Sequence, residues 1–158
     1  KLKTQIAFME KKKLMFSHTS YIIINKYNKK ISSRFAKKKI TFDKLLMSCD
    51  IGLSTVMINT KFLKKNKFYF PKISTKEDFV LWLKIIQKTK VLFGIKNNLS
   101  YYRKTKNSLS SNKYISLVNG YKVYRNYMKF NKLQSILSLL ILSFSYIKKN
   151  LINNKSNL

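Results

Sequence analysis

The sequence predicts an α/β fold, and three observations carry that prediction. Runs rich in β-branched and aromatic residues, at 16–25 and 54–59, read as strands. Segments with apolar residues on one face at helical spacing, clearest at 77–88, read as amphipathic helices. The two kinds are mixed along a chain of 158 residues, long enough for one domain with its own core.

Each element follows in order. Leu2, Ile6 and Met9 share one face, and nothing breaks a helix across 1–14. After the strand at 16–25 comes a polar turn at 26–30 and a returning strand at 31–35. Thr41 and Asp43 ahead of Leu45, Leu46 and Met47 suggest a short capped helix. The strand at 54–59 leads into a short helix at 60–65, and Pro71 falls in a loop reaching Thr75. The helix at 77–88 follows Ser74 and Thr75, hydroxyls three residues ahead of Glu77 and Asp78, the pattern of a capping box. Short strands at 91–95 and 99–103, a Ser/Asn loop at 107–112, and helices at 113–130 and 133–151 complete the chain.

Composition limits the function classes. A hydrophobic content of 45 %, with ten Tyr and eleven Phe, argues against disorder. Cys49 is the only cysteine and His18 the only histidine, which excludes an internal disulfide and makes a Cys/His metal site untenable. Cys49, on an apolar stretch, reads as core filler, and His18, inside a strand, reads as structural. The formal net charge is +29, from 34 Lys and Arg against five acids. That field attracts nucleic acid, anionic lipid or phosphorylated substrates. The same chain is poor in Gly, Pro and Ala and rich in Asn, Ile and Tyr, which fits an AT-rich coding sequence with Lys as the default surface residue. A basic nucleic-acid-binding module is the alternative function class, yet no cationic stripe with interleaved aromatics appears. No specific nucleic acid is expected.

The five acids are Glu10, Asp43, Asp50, Glu77 and Asp78. Two are adjacent at the start of the helix that holds the single Trp. Neighbouring carboxylates repel, which raises one pKa and suits a proton acceptor. Helix capping and the macrodipole favour acids there without any function, so both readings stand on residue types alone.

The surrounding string adds to this. Lys76-Glu-Asp-Phe-Val-Leu-Trp-Leu-Lys84 resembles the Glu-Asp-x-x-x-Trp-Leu segment of family-two glycosyltransferases. Ser54-Thr-Val-Met-Ile-Asn59 is similar to the Ser-Ser-Val-Met-Ile strand that precedes it in that family. Leu99-Ser-Tyr-Tyr-Arg103, continuing to Ser110, resembles the later Leu-x-Tyr-Arg segment. Lys1-Leu2, Gln5-Ile6 and Phe8-Met9 resemble the helix after the family's metal-binding Asp-x-Asp. The four stretches fall in the family's order, closest to the subgroup that builds capsule, teichuronic or lipopolysaccharide-type glycans.

The resemblance implies the C-terminal, acceptor-side part of a GT-A fold at 1–112, with a helical extension at 113–158. It implies an inverting transferase, with a nucleotide-sugar donor and a glycan or lipid-linked acceptor. Asp78 matches the catalytic base, and Glu77 the group that orients base or acceptor. Ser54 and Thr55 match the strand lining the cleft floor. Arg103 matches an arginine after the last strand, for which a structural tie and a donor-phosphate contact both stand. Trp82, one turn from Asp78, either stacks on a sugar or fills the core. A divalent metal, Mg or Mn, is implied for the full-length enzyme, with ligands mostly outside this chain. The chain opens mid-helix at Lys1 with no Asp-x-Asp ahead of it, so a fragment lacking the nucleotide-binding half is expected, or an inactive truncated remnant.

The last helix is a separate signal. Residues 133–147 are mostly apolar, and fifteen helical residues span about 22 Å, short of the roughly 30 Å hydrocarbon core. Two readings follow: a helix lying on an anionic membrane surface, or one packed against protein. The expected location is cytoplasmic, with peripheral attachment to the inner face of the cytoplasmic membrane.

Overall fold

The computed structural model describes residues 1–105 and 112–155. The end of the third similar segment, from Lys106 to Ser110, and residues 107–111 of the expected loop lie outside the described residues. The order is α1 (Leu2–Lys11), β1 (Phe16–Ile24), β2 (Lys30–Arg34), β3 (Lys39–Thr41), α2 (Phe42–Met47), β4 (Met57–Ile58), α3 (Thr60–Lys65), α4 (Glu77–Thr89), β5 (Val91–Arg103), α5 (Lys113–Lys122) and α6 (Lys132–Lys155). This is the mixed α/β class that the sequence predicts.

One sheet runs in the order β2-β1-β5-β3, with β4 beside β1. β1 and β5 are parallel; β2, β3 and β4 pair antiparallel to their neighbours. β1 is therefore central, and Phe16 to Ser20 are buried. The sequence reading splits β5 in two, whereas the structure keeps one strand of 13 residues. Its register against β1 jumps from Ile95 to Asn98, so the exposed Lys96-Asn97-Asn98 stretch is a bulge and not a break. The strand expected at 54–59 is also revised. Leu53–Thr55 forms a 3-10 turn, closed by Thr55 N–H and Oγ1 on the Gly52 carbonyl at 2.9 and 2.7 Å, and only Met57–Ile58 pairs as strand.

α4 is the centre of the core. Phe79 through Leu83, with Ile85 and Ile86, are all buried, so the helix is enclosed on nearly every side. Trp82 meets Phe16 of the sheet edge-on at 5.2 Å, and Phe79 meets Tyr124 at 6.3 Å. Tyr124 lies in a π-helical turn, Val123–Tyr127, that continues α5, and its hydroxyl donates to the Leu46 carbonyl at 2.8 Å. Residues on both sides of position 112 thus share one core. Three close approaches depend on small or polar residues. A Cβ at Gly94 would sit 2.5 Å from the Lys37 carbonyl and 2.8 Å from the His18 ring, so only glycine fits. A Cβ at Gly120 would meet Leu139 of α6 at 2.7 Å. Gln5 is buried and donates to Ser17 Oγ and the Thr55 carbonyl, tying α1 to the sheet.

Helix ends are made in an unusual way. Lys13, Lys67, Lys76, Lys90 and Lys129 all adopt positive φ, between 51° and 66°, where glycine or asparagine is usual.

Candidate active site

Glu77 and Asp78 open α4 from a loop that is held from behind. The expected capping box does not form: the N-cap is Lys76, left-handed at φ 65°, and it makes no side-chain cap bond. The hydroxyls of Ser74 and Thr75 instead accept from Asn119 Nδ2, at 2.9 and 3.0 Å. Asn119 is buried in α5, next to Gly120, where the Lys76 side chain passes within van der Waals reach. The loop leading into the two carboxylates is therefore clasped by α5. Sequence reasoning missed Asn119; its signal was a polar residue beside a glycine on an otherwise apolar helical face.

Asp78 Oδ1 accepts the Phe79 N–H at 2.7 Å, which fixes the carboxyl against the helix N-terminus. Burial pushes the Asp78 carboxyl above its ordinary range and the Glu77 charge adds to this, while the Phe79 N–H and Lys76 oppose it. Asp78 is thus a half-buried carboxylate of raised basicity, positioned by backbone. Close by, burial pushes the Cys49 thiol up to about 12, with the Asp78 charge contributing, so Cys49 is a neutral thiol and no nucleophile.

The other candidates are dispersed. Ser54 is exposed, its carbonyl accepting from Lys1 Nζ at 2.7 Å and Ser100 Oγ at 3.3 Å. Thr55 is fully buried and used by Gly52 and Gln5. The guanidinium of Arg103 is occupied by the β1–β2 turn, donating to the Asn25 carbonyl and, at 2.7 Å, to Asn28 Oδ1. Trp82 is 1 % exposed and packed between Phe16 and Phe70, so its faces are core surfaces and not an open platform for a sugar. Among the described residues no three His, Cys, Asp or Glu side chains converge to hold a metal.

Two further polar groups organise the protein. His18 is buried with both ring nitrogens unpartnered, and burial lowers its pKa to about 4 against a smaller upward pull from Asp50. Asp50 pairs with Lys37 at 2.8 Å and with Lys149 of α6, and accepts from Ser48 Oγ. Burial pushes the Asp50 carboxyl up, but the bonds and charges of Lys149 and Lys37 outweigh it and hold the group below its usual value.

Comparison with known proteins agrees with the class that fold and sequence suggest. The chain is 36 % identical over 158 residues to the Escherichia coli UDP-Glc:alpha-D-GlcNAc-diphosphoundecaprenol beta-1,3-glucosyltransferase WfgD, covering 99 % of this chain and 60 % of that protein. It is 28 % identical over 152 residues to the putative teichuronic acid biosynthesis glycosyltransferase TuaG of Bacillus subtilis, covering 96 % and 60 %. A second Escherichia coli glucosyltransferase, WfaP, with the same named donor and acceptor as WfgD, matches at 35 % over 80 % of this chain and 49 % of its own length. No family model matches the chain, and no solved structure does. The chain is a homologue of bacterial glycosyltransferases of surface-polysaccharide biosynthesis. It spans 60 % of the length of the first two relatives.

Proposed function

We propose that this chain is the acceptor-side, C-terminal part of an inverting GT-A-type glycosyltransferase of family two. It would serve cell-surface polysaccharide synthesis at the inner face of the cytoplasmic membrane. The donor is a nucleotide-sugar and the acceptor a glycan or lipid-linked sugar, as the named substrates of WfgD and WfaP suggest. One observation carries the reading: Asp78, in the string Glu-Asp-x-x-x-Trp-Leu, is a backbone-anchored carboxylate whose pKa is raised.

In the proposed step Asp78 takes the proton of the acceptor hydroxyl as its oxygen attacks the anomeric carbon. The bond to the nucleoside diphosphate breaks on the opposite face, so the anomeric centre inverts. A carboxylate of raised pKa is a better base than an ordinary surface aspartate. Its fixed position removes the entropy of finding the hydroxyl. Glu77 at the same helix end orients Asp78 or the acceptor. A divalent metal would neutralise the leaving diphosphate when bound, and donor binding belongs to sequence outside this chain.

The test is transfer by the full-length protein that carries this chain, using radiolabelled UDP-glucose and an undecaprenyl-diphosphate-linked GlcNAc acceptor. Asp78→Asn is expected to lower kcat by about 10²–10⁴-fold with little change in acceptor affinity. Retention of activity within about tenfold would remove Asp78 from the role of base.

A further inference from the structure

The last helix carries an apolar face that the fold does not use. Leu133, Ile136, Leu137, Leu140, Phe144 and Ile147 recur at i, i+3, i+4, i+7, i+11 and i+14, one straight stripe of an α-helix. All six are 47–69 % exposed. The opposite face does the packing: Ser135 is fully buried, Leu142 is 7 % exposed, Leu139 meets α5, and Lys149 pairs with Asp50. The helix is therefore amphipathic with its richer apolar stripe turned outward. Six large side chains about half exposed present on the order of 500 Å² of apolar surface, at the upper end for the largest patch of a monomer.

We propose that this stripe lies in the headgroup region of an anionic bilayer, with α6 parallel to the surface. Three observations select that occupant. No described helix is long and apolar enough to cross a membrane, so the stripe suits the interface and not the hydrocarbon span. Exposed Lys132 and Lys148 stand at the two edges of the stripe, where an ammonium group reaches headgroup phosphates while its stem follows the apolar surface. Finally, residues 79–158 contain no Asp or Glu, while lysines continue to Lys155. A second copy of a +29 chain would bring like charges together, whereas an anionic surface attracts every one of them. Only α6 is involved, so this surface holds whether or not Asp78 is the base.

Charge by itself will draw this protein to anionic vesicles, so the experiment must separate charge from insertion. Phe144→Trp is mixed with phosphatidylglycerol vesicles whose acyl chains are brominated, and the buried Trp82 signal of the unaltered protein is subtracted. Emission is expected to shift to the blue and to be quenched by the bromines. At about 0.5 M salt, where the Debye length falls to a few ångströms, Leu140→Gln/Phe144→Gln should sediment with vesicles about tenfold less than wild type. All these positions are exposed, and circular dichroism should show an unchanged fold. Vesicle binding without bromine quenching of the introduced tryptophan, or equal binding of the double variant at high salt, would overturn the proposal. So would a dimer in sedimentation equilibrium that the double variant abolishes, because the stripe would then cover a second copy.

Discussion

Helices α4 and α6 both repeat apolar residues at helical spacing, and they treat them in opposite ways. α4 is enclosed between the sheet and the π-helical turn, and its apolar side chains from Phe79 to Ile86 are buried whichever way they point. α6 buries a narrower face, Ser135 and Leu142 with Leu139 partly covered, and turns Leu140 and Phe144 to the outside. Periodicity identifies a helix and says nothing about which side of it the protein covers. Burial depends on what other elements supply: α4 has partners on both sides, α6 on one.

The largest effects should come from breaking this contrast directly. Leu83→Ala in α4 removes a fully buried side chain and should cost about 2–5 kcal/mol in urea unfolding. Leu140→Ala, the same change on the outer stripe of α6, should stay within about 0.5 kcal/mol. Equal losses would mean that the stripe is covered.

Acid separates the two helices next. His18 belongs to the sheet behind α4, and its folded pKa of about 4 lies below the unfolded value of 6.5. The unfolded chain therefore binds the extra proton between these values. The stability contributed by neutral His18 is full above pH 6.5 and is lost as pH falls towards 4, by on the order of 3 kcal/mol. Asp50, which anchors α6, is depressed below its ordinary 3.8, so its contribution is present above that pH and lost only as pH falls further. Unfolding followed from pH 7 to 3 should thus weaken first through His18 and then through the α6 anchor. His18→Gln should remove the first slope and keep the second.

A smaller change sharpens the link between the C-terminal helices and the site. Asn119→Ala removes both bonds to the loop before α4 and should cost about 1 kcal/mol. Hydrogen exchange should quicken at residues 74–78 more than within α6. Uniform protection would mean that the loop holds itself.

Much of this was legible in the sequence, for identifiable reasons. The runs at 16–25 and 77–88 have strong patterns and became β1 and α4. The Glu-Asp pair was placed at a helix start, where it lies. What failed was local chemistry overridden by tertiary partners. Ser74 and Thr75 look like caps, but Asn119, more than forty residues on, takes their hydroxyls. The β-branched run at 54–59 kept only Met57–Ile58 as strand, because Thr55 folds back on Gly52 in a 3-10 turn. Arg103 and Asp50 found partners 75 and 99 residues away in sequence, respectively Asn28 and Lys149, and no pattern announces such pairs.

The left-handed lysines have a practical consequence. Lys13, Lys67 and Lys90 follow helices and Lys129 follows the π-helical turn, all at positive φ, where glycine would release strain. Each carries a Cβ in a region that costs an L-residue roughly 1–2 kcal/mol. Glycine codons are GC-rich and lysine codons AT-rich, so a drifting genome would leave this signature at helix ends. Those four positions are where the protein can be made more robust, and less cationic, by exchange to glycine without touching the buried helix, the carboxylate pair or the outer stripe.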